Sequence, residues 1–185
     1  MTGRRVSLCG TAIVRGLETR LLPIVLNPEA ISIGLAGTGE GLARRRQLLA
    51  DAGISPRLIS EDTPLDGLNV LFVAGLDRPA AEHLAESARG QGVLVNVEDV
   101  PELCDFHVPA AIRRGDLVLT VSTGGKSPGL AKLIREWLEH KIVPEWTGRL
   151  KDVASARAKW RADGNPPSEV AQRTRDYVRD RDWLA

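Results

Sequence analysis

The apolar residues of this chain fall into short runs that end at glycine-bearing turns, with helical spacing between many of the runs. Leu21-Leu22-Pro23-Ile24-Val25-Leu26 is apolar and β-prone up to the turn-like pair Asn27-Pro28, which predicts a strand. Ile31 to Ala36 predicts a buried strand delivered into Gly37-Thr38-Gly39-Glu40-Gly41. After those glycines Leu42, Leu48 and Leu49 recur at helical spacing beside Arg44, Arg45 and Arg46, and Gly53 marks the stop. Arg57 to Ser60 reads as a further strand ending at Glu61-Asp62, Val70 to Ala74 as a strand, Pro79 to Arg89 as an amphipathic helix, and Val93 to Val97 as a strand. Strands alternating with helices at these intervals predict an α/β fold with a doubly wound parallel sheet.

Beyond Asp99 the pattern changes. Phe106 to Ile112 and Leu117 to Ser122 are β-prone runs joined by Arg113-Arg114-Gly115-Asp116, so they are expected to pair antiparallel. Ser127-Pro128 predicts a helix start, with Ser127 as N-cap and Pro128 at the first helical position. That helix carries Leu130, Leu133, Ile134, Trp137 and Leu138 on one face and is expected to end near Pro144. From Trp146 onward the chain is charged and helical, broken at Gly164-Asn165-Pro166-Pro167, with Trp160, Tyr177 and Trp183 as apolar anchors. Residues 1–20, interrupted by Gly3, Gly10 and Gly16, are treated as an N-terminal extension.

A hydrophobic share of 43% with 26% charged residues describes a globular chain able to bury a core. The formal net charge of +1 gives no global field that would recruit nucleic acid or an anionic membrane, so neither is an expected partner. No stretch reaches the roughly 20 apolar residues of a membrane span. Arg4 and Arg5 are not followed by the apolar region and cleavage site of a signal peptide. Cys9 and Cys104 lie far apart and match no metal-ligand or disulfide spacing, which suits a reducing cytosol and predicts a cytoplasmic protein. With only His83, His107 and His140, none paired at ligand spacing, no fixed metal site is expected.

Candidate chemistry concentrates at the turns that follow the strands. Gly37-Thr38-Gly39-Glu40, between strand and helix, would let the backbone approach a pyrophosphate at a helix N-terminus, although Leu42 stands where the full pattern has a small residue. Glycine turns after strands are also common without a ligand. Glu61 or Asp62, about 20 residues on, suits the ribose hydroxyl of a dinucleotide, or is a solvated loop. Gly75-Leu76-Asp77 ends the Val70 to Ala74 strand at the edge where ligands bind in such sheets. Asn96 and Asp99 end the next strand, and Asp99 is either a proton acceptor or a turn former. Ser122-Thr123-Gly124-Gly125-Lys126-Ser127 offers N–H groups and a cation to an anion, with a plain helix cap as the alternative. Arg113 and Arg114 add charge nearby, whereas His107 also suits a hydrogen-bonded core position.

Taken together, Asn96-Val97-Glu98-Asp99-Val100-Pro101-Glu102-Leu103-Cys104-Asp105-Phe106, then Pro109-Ala110, Arg114-Gly115 and Ser122-Thr123-Gly124-Gly125-Lys126-Ser127-Pro128, resemble the siroheme synthase dehydrogenase/ferrochelatase module. The similarity runs from about Leu21 to Glu139. It implies an NAD-binding Rossmann-like parallel sheet (21–104), a dimerisation and tetrapyrrole-pocket segment of hairpin and helix (105–145), and a small C-terminal helical domain (146–185). It also implies a homodimer that oxidises precorrin-2 to sirohydrochlorin with NAD and then inserts iron(II), a substrate of chelation and not a resident metal. Asp99 matches the aspartate used in both steps. Thr123 matches a serine of the tetrapyrrole pocket, and the polycarboxylate substrate gives the local cations a purpose. Without the methyltransferase domain of some relatives, the chain is not expected to make precorrin-2 itself. A member with one activity alone, and a non-catalytic tetrapyrrole or dinucleotide binder, stay open as alternatives.

Overall fold

The computed structural model describes residues 21–60 and 63–184. The N-terminal extension 1–20 and the pair Glu61-Asp62 lie outside the described residues. Four strands, β1 (Ile33–Gly37), β2 (Arg57–Ile59), β3 (Val70–Ala74) and β4 (Leu94–Val97), form one parallel sheet in the order β2-β1-β3-β4. Helices α1 (Gly39–Ala50) and α2 (Arg78–Gly90) cover its two faces. The alternation of side chains along the strands makes those faces. Ile33, Leu35, Val70 and Phe72 pack with Leu49 of α1. Leu71, Val73, Val95 and Val97 pack with Ala81, Ala85 and Ala88 of α2, whose small side chains let the helix lie close to the sheet. All five residues of β3 are buried, as both faces of a central parallel strand should be. Each such aliphatic side chain contributes on the order of 1.5–3 kcal/mol.

The chain leaves β1 towards β2 on one side and returns past it to β3 on the other, so a crevice opens between the C-terminal ends of β1 and β3. All the parallel strands end on that edge. The outer edge of β4 is closed by the segment that follows it: Asp105 N donates to Val95 O, the Asp105 carboxylate accepts from Val95 N, and Asn96 Nδ2 donates to Phe106 O. A parallel sheet edge left bare would invite pairing with another chain.

The strand expected over Leu21–Leu26 is not one. The segment is irregular and exposed and pairs with none of the described strands. The α1 helix also begins earlier than expected, at Gly39, with Thr38 extended as its N-cap (φ −144°, ψ 166°).

The second sheet is the antiparallel pair β5 (Ala110–Arg114) and β6 (Leu117–Val121), joined through Gly115-Asp116. Helix α3 (Pro128–Lys141) packs on this hairpin through Ala131, which is buried. The expected N-cap forms, with Ser127 Oγ accepting from Leu130 N at 3.3 Å and Pro128 in the first turn. Helices α4 (Trp146–Ala162) and α5 (Pro167–Arg179) pair around Val170, and edge-to-face contacts link Trp160 to Tyr177, Tyr177 to Trp183 and Trp183 to Trp146.

Candidate active site

The sheet edge gathers the turns after β1, β3 and β4. Thr38 N donates to Ala74 O at 3.1 Å and Thr38 Oγ1 to Gly75 O at 2.7 Å, so the first two turns are stitched together. Gly75 has φ +69°, and a side chain there would overlap Thr38 O, so only glycine fits. Because Thr38 Oγ1 is turned to Gly75, the first turn of α1 has no side-chain cap. Its N–H groups point out of the crevice with the positive end of the helix dipole, which suits an anion. A Cβ on Gly39 would meet nothing within 4 Å, leaving open space at the mouth of the turn. Glu40 is exposed and reaches Arg44 at 3.7 Å.

Close helix-to-sheet approach falls on Gly41, one residue before the Leu42 of the expected pattern. A Cβ there would stand 2.9 Å from Gly75 N and 2.7 Å from Glu98 Oε2. Leu42 instead packs beside the α1-side core, so its size does not hold the helix off the sheet.

Asp99 follows β4 at the same edge, exposed, in the left-handed region at φ +60°. Among the described non-glycine residues it shares positive φ with Asp182 alone. Such a conformation costs of order 1 kcal/mol and persists where neighbours impose it. Here the loop from Val97 to Cys104 is tied at its base. Cys104 Sγ accepts from Val97 N (3.3 Å), lies 3.1 Å from Val97 O, to which it donates, and 3.4 Å from Val100 O. Leu103 N donates to Val100 O across a single 3₁₀ turn at Pro101–Leu103.

On the loop's other side is Glu98, its side chain only 15% exposed. Its carboxylate meets Arg44 Nη2 at 3.2 Å and Arg45 Nε at 3.7 Å, the first a hydrogen-bonded ion pair and the second an ion pair without a hydrogen bond. Arg45 also lies over the Phe72 ring, which stacks edge-on with Phe106.

The sequence-predicted residues divide. Gly37, Thr38, Gly39 and Glu40 lie at one edge with Gly75 and Asp99. Leu76 is half-buried against the α2-side core, and Asp77 is the N-cap of α2, accepting from Ala80 N at 2.9 Å. Asn96 is 5% exposed and its amide group holds Phe106 O, so it braces β4 from within and does not face the crevice. Thr123 Oγ1 accepts from Ser127 N and donates to Ser127 O, Ser122 Oγ accepts from Gly124 N, and Lys126 N donates to Thr123 O. Most N–H groups of that turn are therefore satisfied inside it, and the anion-binding capacity left to it is the exposed Lys126 side chain, with His107 beside Gly125. Arg113 is exposed. Arg114 is not free: its guanidinium donates to Ile142 O (2.8 Å) and Glu139 O (3.4 Å), bracing the end of α3.

Sequence reasoning missed Glu98, Arg44, Arg45 and Cys104. Alternation along β4 was a usable signal for Glu98, because it shares the α1 side of the strand with Asn96 and α1 carries the arginines.

Residues 24–110 match a family model described as "Putative NAD(P)-binding", and residues 114–141 match one described as "Sirohaem biosynthesis protein central". The siroheme synthase of Pseudomonas fluorescens (strain SBW25) is 33% identical over 175 residues, covering 82% of this chain and 37% of the relative. That of Thiobacillus denitrificans (strain ATCC 25259 / T1) is 35% identical over 157 residues, covering 72% of this chain and 33% of the relative. The chain spans about a third of the length of these curated relatives. In fold it is similar to the solved structure named "SirC, precorrin-2 dehydrogenase", with a TM-score of 0.70 and 20% identity over 89% of this chain and 93% of that one. Through its parallel sheet and the hairpin and helix that follow, the chain belongs to the siroheme synthase N-terminal module family.

Proposed function

We propose that the chain is an NAD-dependent precorrin-2 dehydrogenase that yields sirohydrochlorin in the cytoplasm, acts as a homodimer, and takes iron(II) as the substrate of a following insertion step. The observation that carries this reading is the meeting, at one sheet edge, of an uncapped helix N-terminus with Asp99 on a loop tied at both sides. The residues present fit the dinucleotide. The first-turn N–H groups of α1 would hold its pyrophosphate, the open space at Gly39 admits it, and Gly41 and Gly75 let the surrounding backbone close up. Bound NAD would supply the hydride acceptor.

Oxidation of a reduced tetrapyrrole removes a hydride and a proton. Asp99 would receive the proton as the hydride leaves, and its fixed backbone would hold the carboxylate in reach of the macrocycle. In metal insertion the same carboxylate would take N–H protons displaced by iron(II). The exposed side chains of Lys126, Arg113 and His107 would meet substrate carboxylates, with Arg114 acting through the scaffold.

The test is an anaerobic assay with precorrin-2 and NAD, with and without iron(II), following NADH, sirohydrochlorin and siroheme separately. Asp99→Asn tolerates the left-handed backbone while removing the base, and is expected to lower kcat by about 10²–10⁴. Undiminished oxidation by that variant would remove Asp99 from the mechanism. NADH without siroheme would assign the dehydrogenase alone, and ligand-induced stabilisation without turnover a binding module.

A further inference from the structure

Glu98 has no part in the proton transfer just described, yet it is the most enclosed carboxylate at the sheet edge. It leaves β4 on the α1 side, its N–H continuing the ladder to Val73 O at 2.9 Å. Its carboxylate lies under the first turn of α1, against the face of Gly41, where any side chain would collide with it. Arg44 and Arg45 reach it from the next turn of that helix. One residue further the backbone turns left-handed to present Asp99.

We propose that Glu98 is a positioning residue, which ties the dinucleotide-binding helix to the Asp99 turn and so fixes the direction in which Asp99 meets the substrate. The inference rests on reading Asp99 as the proton acceptor. The loop is tied in three directions: Cys104 holds Val97 and Val100 to each other on either side of Asp99, Arg78 and Arg89 of α2 hold Glu102 and Leu103 O further along, and Glu98 holds the loop to α1. Of these ties the Glu98 carboxylate is the one that reaches α1, so it is the side chain that couples the Glu98-Asp99 peptide to that helix. Gly41 completes the arrangement, since its missing side chain is what admits the carboxylate so close to the helix backbone. The helix end offered to the dinucleotide and the carboxylate offered to the tetrapyrrole are thereby held in one frame, and small errors of placement in such a frame reduce rate more than binding.

The experiment has two arms. In the ligand-free protein, hydrogen exchange compares wild type with Glu98→Gln, which keeps the shape and removes the charge. The amides of Val100 and Leu103 are expected to exchange about tenfold faster in the variant, with β1 and β3 amides unchanged, since such local opening is separable from global unfolding. Equal exchange in both proteins overturns the proposal, as does acceleration spread evenly over the sheet. In the second arm, Glu98→Gln is expected to lose about tenfold in kcat, with the KM values for NAD and precorrin-2 within about twofold of wild type. Glu98→Asp is expected to recover part of that loss. The pair Glu98→Gln with Asp99→Asn is expected to be no slower than Asp99→Asn alone, because a residue acting through Asp99 has nothing left to position. Multiplicative losses, or a change confined to KM, overturn it. Wild-type protein that fails to reduce NAD would sink the proposed reaction, while the exchange arm would still decide whether Glu98 holds the turn.

Discussion

The thiol of Cys104 is half-buried, and that burial pushes it above its ordinary value, with the hydrogen bond from Val97 acting in the opposite direction. The ionised form would lose the bond that the S–H donates to Val97 O. A group whose folded value is raised contributes stability that is complete below the unfolded value, about 8.5 for a cysteine, and that is lost as pH rises through the folded value. Urea unfolding of the wild type is therefore expected to show a midpoint that falls as pH rises above about 8.5. Cys104→Ala is expected to cost about 1–3 kcal/mol at neutral pH, from lost hydrogen bonds and a small void, and to flatten that alkaline decline. Parallel pH curves for the two proteins would show that the thiol is not the titrating group. The effect belongs to the loop that carries Asp99, so alkaline loss of activity should precede loss of the sheet.

Helix α3 illustrates how one element is fixed from a distance. Its last turn leaves carbonyls without partners, and Arg114 from β5 reaches across to Ile142 O and Glu139 O, adding positive charge at the negative end of the helix dipole. Arg114→Ala is expected to lower stability by about 1–3 kcal/mol, read as a drop in thermal midpoint, and Arg114→Lys to recover little because a lysine cannot supply the planar fork. Unchanged stability with a raised KM for the tetrapyrrole would instead place Arg114 in the pocket. Arg114 also marks what the sequence could carry. The apolar run Val70–Ala74 is β3 to the residue, Ser127-Pro128 opens α3 where capping chemistry predicts, and the hairpin forms, although its turn is Gly115-Asp116 alone, with Arg113 and Arg114 of the expected turn paired inside β5 and the strand starting at Ala110. These are local signals. The partner of Arg114 lies 28 residues away, and that of Glu98 lies 54 residues away at Arg44, so their roles depend on packing that no local pattern encodes. Leu21–Leu26 failed for the same reason in reverse, because β-propensity without pairing to a neighbouring strand does not make a strand. At the glycine turn the pattern put close approach at position 42, whereas helix geometry puts it at Gly41.

At the scale of the molecule, the outer face of α3 has no partner among the described residues. Leu130, Leu133, Ile134 and Trp137 stand at i, i+3, i+4 and i+7, the spacing of a buried helical stripe, yet Leu133 is 64% and Trp137 60% exposed. The face expected to be apolar is apolar, but within one protomer it is turned to solvent, while the flank at Ala131 meets the hairpin. A contiguous patch of this kind is rare on a monomer and common at an interface. In the proposed homodimer it would be covered by a second copy, with Trp137 as the anchor, since tryptophans dominate the energetics of such centres. Trp137→Ala is then expected to weaken association by about 2 kcal/mol or more, near thirtyfold in dissociation constant, and Leu133→Asp to leave a folded monomer by placing a charge in the desolvated centre. Sedimentation velocity across a concentration series reads both, and far-UV circular dichroism checks that each variant keeps its helices. Wild-type protein that stays monomeric at tens of micromolar would refute the homodimer. A wild-type dimer unaffected by either substitution would move the interface off α3. Because Lys126 stands just before this helix, with His107 beside Gly125 of the same turn, loss of the dimer should raise the KM for the tetrapyrrole while leaving NAD binding at the sheet edge intact, a split that calorimetry with NAD alone can verify.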